Sequence, residues 1–170
     1  RFGELTGDNS HRSLVEAAIA PVRPAPKSQV EFAGRLVYAP VARSDQGPQK
    51  ERALAAVLEA ADQLFMTGEP RRVKSPSQQE MSDAVFMCGP ILCEAGALSG
   101  EARYFDAAVQ YLSEMRKLRQ REDGLYRHGH ICDAAWGRGN GFPAVGTAWC
   151  LSLLPKEHSG RSDMLAAYQQ

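Results

Sequence analysis

Residues 83–98 and 144–154 are apolar on nearly all sides when they are drawn as helices. A surface helix needs only one apolar face, so a helix that is apolar all round belongs inside a larger assembly. Two further segments carry one apolar face each, with the spacing i, i+3, i+4, i+7. Their apolar residues are Ala53, Ala56, Val57, Ala60, Ala61, Leu64 and Phe65, and then Phe105, Ala108, Val109, Leu112 and Met115. No stretch has a clear period of two between turn residues, so the sequence predicts an all-α fold.

A short turn recurs along the chain, in which a glycine precedes an acidic residue. It occurs as Leu5-Thr6-Gly7-Asp8, Thr67-Gly68-Glu69 and Leu98-Ser99-Gly100-Glu101. The glycine can end one helix in a left-handed conformation, and in the third turn Ser99 or Glu101 can begin the next helix. The recurrence favours stacked helical hairpins, although such a turn is also common between unrelated helices. Loops are predicted at Pro21, Pro24 and Pro26, over residues 43–49, and over residues 67–80.

The charge and composition exclude several classes of partner. Lys and Arg together number 20, as do Asp and Glu, so the formal net charge is zero. Because nucleic-acid binding needs a clustered cationic surplus, no nucleic-acid partner is expected. The longest apolar stretches are too short to span a membrane, so no membrane is expected either. The four cysteines, Cys88, Cys93, Cys132 and Cys150, are irregularly spaced and lack a CxxC pair, which argues against a disulfide-stapled module or a zinc ribbon.

The residue types that carry chemistry are concentrated between residues 81 and 142. Within this segment, Gly137, Gly139 and Gly141 alternate with Arg138, Asn140 and Phe142. We interpret this run as a tight loop from which the larger side chains project. Such a loop suits an anionic, hydroxyl-rich ligand, because an aromatic ring stacks on a sugar and arginine pairs with a carboxylate. The spacing GxGxG, with no strand before it, does not fit a dinucleotide-binding loop.

Three runs in this segment resemble a known group of enzymes. They are Asp83-Ala84-Val85-Phe86-Met87 followed by Pro90, Gly124-Leu125-Tyr126-Arg127-His128, and Trp136-Gly137-Arg138-Gly139-Asn140-Gly141-Phe142. Their order is similar to that of the unsaturated glucuronyl and rhamnogalacturonyl hydrolases, glycoside hydrolase families 88 and 105. The resemblance implies an (α/α)6 barrel, in which six helical hairpins surround a central pocket. It also implies hydration of the 4,5-double bond of an unsaturated uronic acid, which a polysaccharide lyase leaves at the non-reducing end of an oligosaccharide.

The resemblance also implies roles for individual residues. Asp83 matches the catalytic aspartate, which would protonate C4 and then deprotonate the water that attacks C5. The positions that match substrate-binding residues are His128, Trp136, Arg138 and Asn140, and Arg138 is a natural partner for the uronate carboxylate. Phe142 stands where an aromatic residue, often Trp, is usual. The family often has a second acidic residue earlier in the chain, and its counterpart would be Glu31, the only carboxylate in residues 29–36.

Several of these residues also have simpler explanations. Asp83 follows Ser82 at the start of a helix, where an aspartate is a common N-cap. His128, His130 and Cys132 have a spacing that suggests a metal site. No clear further ligand completes that set, so substrate-facing or solvated histidines are expected, with no metal and no cofactor.

The remaining polar and aromatic residues outside these runs are assigned from their local context. Arg127 is either a surface charge or a site residue, and Asp133 either caps the approach to Trp136 or is a second acid, with capping favoured. Trp149 and Cys150 lie in an apolar segment and are expected in the core. His11 and His158 are expected on the surface.

Two other functions remain open from the sequence. One is a non-catalytic α/α-repeat domain that binds a saccharide or a protein. The other is a different (α/α)6 enzyme, such as a sugar epimerase, that uses His128 and His130 as an acid/base pair. Convergence of Asp83, Trp136, Arg138 and His128 in one cleft would favour the hydrolase.

The length of 170 residues is short for the ring that the resemblance implies. Each hairpin takes about 45 to 60 residues, so residues 1–170 are expected to supply three to four hairpins of one toroidal catalytic domain. Missing segments or self-association would then complete the ring. A cytoplasmic or periplasmic bacterial location follows only from the resemblance, because such enzymes act after lyases.

Overall fold

The computed structural model describes residues 7, 10, 12–20, 24–44 and 48–169. The first predicted turn, apart from Gly7, lies outside the described residues. So do Pro21, His11 and the middle of the loop predicted over residues 43–49. The observed helices are α1 (Arg12–Ile19), α2 (Gln29–Gly34), α3 (Tyr38–Ser44), α4 (Pro48–Asp62), α5 (Ala84–Ser99), α6 (Ala102–Arg119), α7 (Gly137–Leu153) and α8 (Arg161–Tyr168). A 3-10 turn (Arg35–Val37) joins α2 to α3, and a small antiparallel hairpin is formed by β1 (Phe65–Met66) and β2 (Glu69–Val73).

Helix α5 is the centre of the fold. It packs against α2, α4, α6 and α7, and its side chains from Ile91 to Cys93 have no solvent exposure. This arrangement confirms that the segment apolar on all sides is buried on all sides. Helix α7 differs, because Cys150 on one side is fully buried whereas Val145 on the other is 54% exposed.

Consecutive helices pair as hairpins. Helices α3 and α4, α5 and α6, and α7 and α8 are consecutive contacting pairs, and α5 contacts both α2 and α7 alongside it. The turn between α5 and α6 is the one predicted, since Gly100 has φ +76° and its N–H donates to Gly96 O at 2.9 Å. The chain is therefore predominantly α-helical, as the sequence predicted.

The turn at Gly68 differs from its prediction. Gly68 has the expected positive φ of +79°, but it joins β1 to β2 rather than helix to helix. Phe65 pairs with Val73 in this hairpin, so part of the loop predicted over residues 67–80 is a strand. The sequence did not indicate this strand, because Glu69–Val73 contains a proline and has no alternation of apolar and polar residues.

Helices α5 and α7 run parallel and approach closely. A Cβ on Gly146 of α7 would lie 2.8 Å from Phe86 Cα of α5, so only glycine allows the two backbones to pack at this distance. Nearer the start of both helices, a Cβ on Gly139 would lie 3.4 Å from Ser82 Oγ. The residues that begin α5 and α7 therefore lie side by side at one end of the helical layer.

Candidate functional site

Asp83 immediately precedes α5, at the position of a helix N-cap. Its backbone is already helical (φ −55°, ψ −28°), and its side chain makes no capping hydrogen bond. The carboxylate is instead mostly buried, with Oδ1 3.8 Å from His128 Nδ1 and Oδ2 3.5 Å from Arg138 Nη2. The capping explanation therefore does not describe this carboxylate, which faces a histidine and an arginine from two other parts of the chain.

The segment just before Asp83 is held by helix α6. Arg119, only 2% exposed, donates from Nε to Glu80 O at 2.8 Å and from Nη2 to Gln78 O. The hydroxyl of Tyr111 donates to the side chain of Glu80. Burial raises the pKa of Tyr111 well above its usual range, so this donor keeps its proton. These contacts fix the backbone from which Asp83 projects.

His128 is placed by the segment between α6 and α7. Its backbone N–H donates to Ala134 O at 3.3 Å, and its carbonyl accepts from Ser82 N at 2.9 Å. The second bond joins this segment directly to the residue before Asp83. The loop and the start of α5 are therefore tied together at the point where the two side chains meet.

Trp136 and Arg138 form the outer side of the site. The Trp136 ring meets the His128 ring edge to face, with centroids 5.2 Å apart. The guanidinium of Arg138 lies 4.5 Å from the centre of the Trp136 ring, and its side chain is 55% exposed. An indole ring and a cation thus stand open to solvent beside the mostly buried Asp83, which is an arrangement able to bind an anionic sugar.

The run of alternating glycines forms helix, which corrects the predicted loop. Residues Gly137 to Phe142 are the first turns of α7, so successive side chains point in different directions around its axis. The Trp136 indole packs directly on Gly139, because a Cβ there would lie 2.7 Å from Trp136 Nε1 and would displace the ring. The packing of the indole against the helix therefore outweighs the low helix propensity of three glycines.

Asn140 binds the protein backbone. Its Oδ1 accepts from Tyr126 N at 2.8 Å, and its Nδ2 donates to Tyr126 O at 3.2 Å and to Trp136 O at 3.1 Å. The amide is engaged on both sides by these bonds. Asn140 was expected to contact substrate, but this geometry supports a different role, in which it positions the loop that carries His128.

Phe142 lies in an aromatic cluster between α5 and α7. Its ring centre is 5.4 Å from that of Phe86, which is in turn 6.1 Å from that of Trp149. Trp149 is only partly buried and donates from Nε1 to the buried Glu94 at 2.8 Å, whereas Cys150 is fully buried. The expected core location is confirmed for Cys150 and holds in part for Trp149.

Glu31 forms hydrogen bonds at the start of its own helix, α2. Its Oε2 accepts from Lys27 N at 2.7 Å, and its backbone N–H donates to Ser28 Oγ at 3.4 Å, an arrangement that caps the start of α2. The bond from Lys27 lowers the pKa of this exposed carboxyl. Glu31 does not line the cavity beside Asp83, although its neighbours Gln29 and Val30 do. The described contacts thus do not join Glu31 to the site.

The carboxylate that shares this cavity with Asp83 is Glu80. The cavity has a volume of about 350 Å³ and is lined by Gln29, Val30, Ser77, Gln79, Glu80, Met81, Asp83 and Met87. No motif marks Glu80 in the sequence, because its contacts with Tyr111 and Arg119 are formed by residues far away in sequence. The nearby Ser82, fully buried, was considered only as the neighbour of a possible cap.

Buried polar atoms without a protein hydrogen bond concentrate at this site. Among the described residues there are four such side-chain atoms, Ser82 Oγ, Asp83 Oδ1, Arg127 Nε and His128 Nδ1. Native proteins pair nearly all buried polar groups, and exceptions are often found where a site binds or reacts. Three of them belong to Asp83, its neighbour Ser82 and the facing His128, so this region is the candidate functional site.

The other predicted residues lie outside this group. His130 and Cys132 are exposed, and in the described part of the chain no three His, Cys, Asp or Glu side chains are arranged to hold a metal ion. Asp133 pairs with Arg127 Nη1 at 3.2 Å, in place of the favoured cap at Trp136.

His158 is largely buried, contrary to the expected surface position. Its Nδ1 accepts from Gly160 N at 3.1 Å, and its Nε2 lies 3.1 Å from Asp106 Oδ1. The ring therefore ties the segment before α8 to α6, a role that only the folded contacts reveal.

Comparisons with known proteins agree with the fold. A model of glycosyl hydrolase family 88 matches residues 44–170, whereas no curated protein matches the chain. A solved glycosyl hydrolase family 88 structure from Bacteroides vulgatus superposes with a TM-score of 0.76 at 17% identity, over 99% of this chain and 55% of that one. A polysaccharide lyase superposes with a TM-score of 0.61 at 18% identity, over 82% of this chain and 40% of that one.

The similarity to these structures concerns the fold. It confirms the predicted α/α toroid, of which this chain forms a part, and the chain spans about half the length of the family 88 structure. Within the described residues, no helix is long and apolar enough to cross a membrane. The family match covers most of the chain, including every residue from α4 onward that forms the site. The chain is therefore a member of glycosyl hydrolase family 88.

Proposed function

We propose that this protein hydrates the 4,5-double bond of an unsaturated uronic acid at the non-reducing end of lyase-generated oligosaccharides, with Asp83 as general acid and base. The observation that carries the proposal is the position of the Asp83 carboxylate. It does not cap its helix, and it faces both His128 and Arg138. Family membership supports a glycoside hydrolase, and this constellation supports the unsaturated uronide as substrate.

The first chemical step is proton transfer to carbon. The protonated Asp83 side chain donates its proton to C4, and the electron pair of the double bond forms the new C–H bond. Positive charge then develops at C5 and is shared with the ring oxygen. Asp83 is left as a carboxylate close to this charge, which stabilises the cationic species.

The second step adds water. A water molecule attacks C5 and loses a proton to the Asp83 carboxylate, which regenerates the acid. The resulting hemiketal at C5 opens to a ketone, which leaves C1 as a hemiacetal that carries a hydroxyl group and the aglycone oxygen. This hemiacetal breaks down to an aldehyde at C1 and releases the aglycone as an alcohol. One molecule of water is consumed for each glycosidic bond lost, and one carboxyl group serves both steps, unlike the two carboxylates of ordinary glycosidases.

Substrate recognition is assigned to the exposed side of the site. The guanidinium of Arg138 can form a bidentate pair with the uronate carboxylate, and the Trp136 ring offers an apolar face to the sugar. Arg138 lies 3.5 Å from Asp83 Oδ2, so a carboxylate held by Arg138 brings the adjacent C5 and C4 next to the reacting group. His128 completes the wall of the site against Trp136.

We further propose that residues 1–170 belong to one toroidal catalytic domain whose remaining hairpins, or a second copy, close the ring. The partly exposed apolar face of α7 at Val145 supports this proposal. A non-catalytic saccharide-binding domain is the second candidate, because the exposed Trp136 and Arg138 would also bind a sugar without reaction.

Activity on a defined substrate separates the two candidates. Unsaturated disaccharides made with a polysaccharide lyase absorb in the ultraviolet through their conjugated double bond, and hydration removes that absorbance. The wild-type protein should remove the absorbance with release of the second sugar, whereas Asp83→Asn should remain folded and lose activity by about a thousandfold or more. Equal activity of the two proteins would overturn the assignment of Asp83. Tight binding of the disaccharide by wild type without any turnover would favour the non-catalytic domain.

A further inference from the structure

A small group of buried polar atoms belongs to Asp83 and the two residues joined to it. Its members are Ser82 Oγ, Asp83 Oδ1 and His128 Nδ1, none of which has a hydrogen-bond partner in the protein. Asp83 Oδ1 lies 3.8 Å from His128 Nδ1, and Ser82, which precedes Asp83, donates from its backbone N–H to His128 O at 2.9 Å. The candidate reaction uses Asp83 and His128 but assigns nothing to Ser82.

The separation of Asp83 Oδ1 from His128 Nδ1 suits one water molecule. A separation of 3.8 Å is too long for a direct hydrogen bond, but a water about 2.8 Å from each atom bridges them with ordinary geometry. Buried water typically makes about three hydrogen bonds to polar groups that otherwise lack partners. Such a water donates to Asp83 Oδ1, accepts from His128 Nδ1–H, and exchanges a hydrogen bond with the rotatable hydroxyl of Ser82.

The two oxygens of Asp83 lie in different surroundings. Oδ1 is buried and faces this group, whereas Oδ2 faces Arg138, whose side chain is open to solvent. A water bonded to Oδ1 would restrict rotation of the carboxylate and keep Oδ2 directed into the cleft. Gly139 leaves the neighbouring space open, since a Cβ there would lie 3.4 Å from Ser82 Oγ.

We propose that Ser82 Oγ, Asp83 Oδ1 and His128 Nδ1 bind one buried water, and that Ser82 is thereby a positioning residue for Asp83. The water site itself rests on the burial of these three atoms and on the separation of Asp83 Oδ1 from His128 Nδ1, and not on the reaction. The effect of Ser82 on turnover rests on the proposed function, in which Asp83 Oδ2 exchanges a proton with the substrate.

A high-resolution crystal structure of the wild-type protein tests the water site directly. The expected result is a density peak within about 3.2 Å of all three atoms, and its absence or displacement in Ser82→Ala. A direct hydrogen bond from the Ser82 hydroxyl to a protein atom, with no such peak, would overturn the proposal. The wild-type density decides this point even if the variant does not fold.

Kinetics test the positioning role. Ser82→Ala should lower kcat about tenfold and change KM by less than about twofold, because the carboxylate is misplaced while Trp136 and Arg138 still bind the substrate. The matched control is Ser152→Ala, which removes an exposed hydroxyl from α7 and should leave both constants unchanged. Unfolding in urea should show that both variants are folded.

An unchanged kcat in a folded Ser82→Ala, or a rise in KM alone, would contradict the positioning role. Lack of turnover by the wild-type protein would instead contradict the proposed function, and the crystal structure would still decide the water site. The two proposals therefore fail by different measurements.

Discussion

Asn140 binds both backbone polar groups of Tyr126, accepting from its N–H at 2.8 Å and donating to its carbonyl at 3.2 Å. These two bonds attach the segment that carries His128 to the first turn of α7. The same amide also reaches the carbonyl of Trp136 at 3.1 Å. One side chain therefore sets the distance between the loop side and the helix side of the site.

Replacement of Asn140 should loosen the loop and weaken catalysis together. Asn140→Ala leaves a partly buried N–H and a carbonyl of Tyr126 without their partners, so it should lower the free energy of unfolding by about 1 to 3 kcal/mol. Asn140→Asp keeps the acceptor for Tyr126 N but places a carboxylate oxygen against the carbonyls of Tyr126 and Trp136, so it should also be destabilising. Urea unfolding measures both values. Equal stability of wild type and Asn140→Ala would show that the hydrogen bonds from Asn140 to the Tyr126 backbone do not hold the loop.

Addition of one methyl group at Gly139 should move Trp136. A Cβ there would lie 2.7 Å from Trp136 Nε1, and the half-exposed indole has room to swing away. Gly139→Ala should therefore raise KM several-fold, while stability changes by less than about 1 kcal/mol because alanine favours the helix. The matched control is Gly141→Ala, where a Cβ meets no atom within 4 Å and KM should not change. An equal rise in KM in both variants would contradict a specific role of the indole.

The main helices were predictable from the sequence, because the spacing of their apolar residues indicates which helix faces are buried. Helix α5 is apolar all round and is buried against helices that include α2, α4, α6 and α7. The start of α7 was not predictable, because three alternating glycines have low helix propensity. Their helical conformation depends on packing of Gly139 against Trp136 and of Gly146 against Phe86, contacts that exist only in the folded chain.

The candidate site was predictable where a residue type carries its own chemistry. Asp83, Arg138 and Trp136 meet as their motifs suggested. The role of Asn140 could not be predicted in this way, since an amide side chain can bind a sugar or hydrogen-bond to the protein backbone equally well. Ser82 and Glu80 carry no motif, and their significance follows from burial and from partners that are distant in sequence.

Loss of the Arg119 guanidinium should destabilise the segment before Asp83. This buried side chain donates to the carbonyls of Glu80, Gln78 and Leu118. Arg119→Met keeps much of the apolar stem but leaves those carbonyls without their donor. It should lower the free energy of unfolding by about 2 to 3 kcal/mol and also reduce kcat, because Asp83 follows this segment. The control Lys117→Met removes an exposed cation from the same helix and should have little effect on either quantity.

Alkaline conditions should destabilise the fold, because it buries cysteine and tyrosine side chains whose ionised forms are unfavourable away from water. Burial raises the pKa of Cys88 to about 12 and raises those of Cys150 and Tyr111 well above their usual ranges. Unfolding lets these groups ionise near pH 9 to 10, so the unfolded chain binds fewer protons and stability falls as pH rises above about 9, by up to about 1.4 kcal/mol per pH unit for each group. Urea unfolding at successive pH values measures this slope. Cys150→Ala should make it shallower, whereas the exposed Cys132→Ser should not, and equal slopes in the two variants would exclude Cys150 as a source.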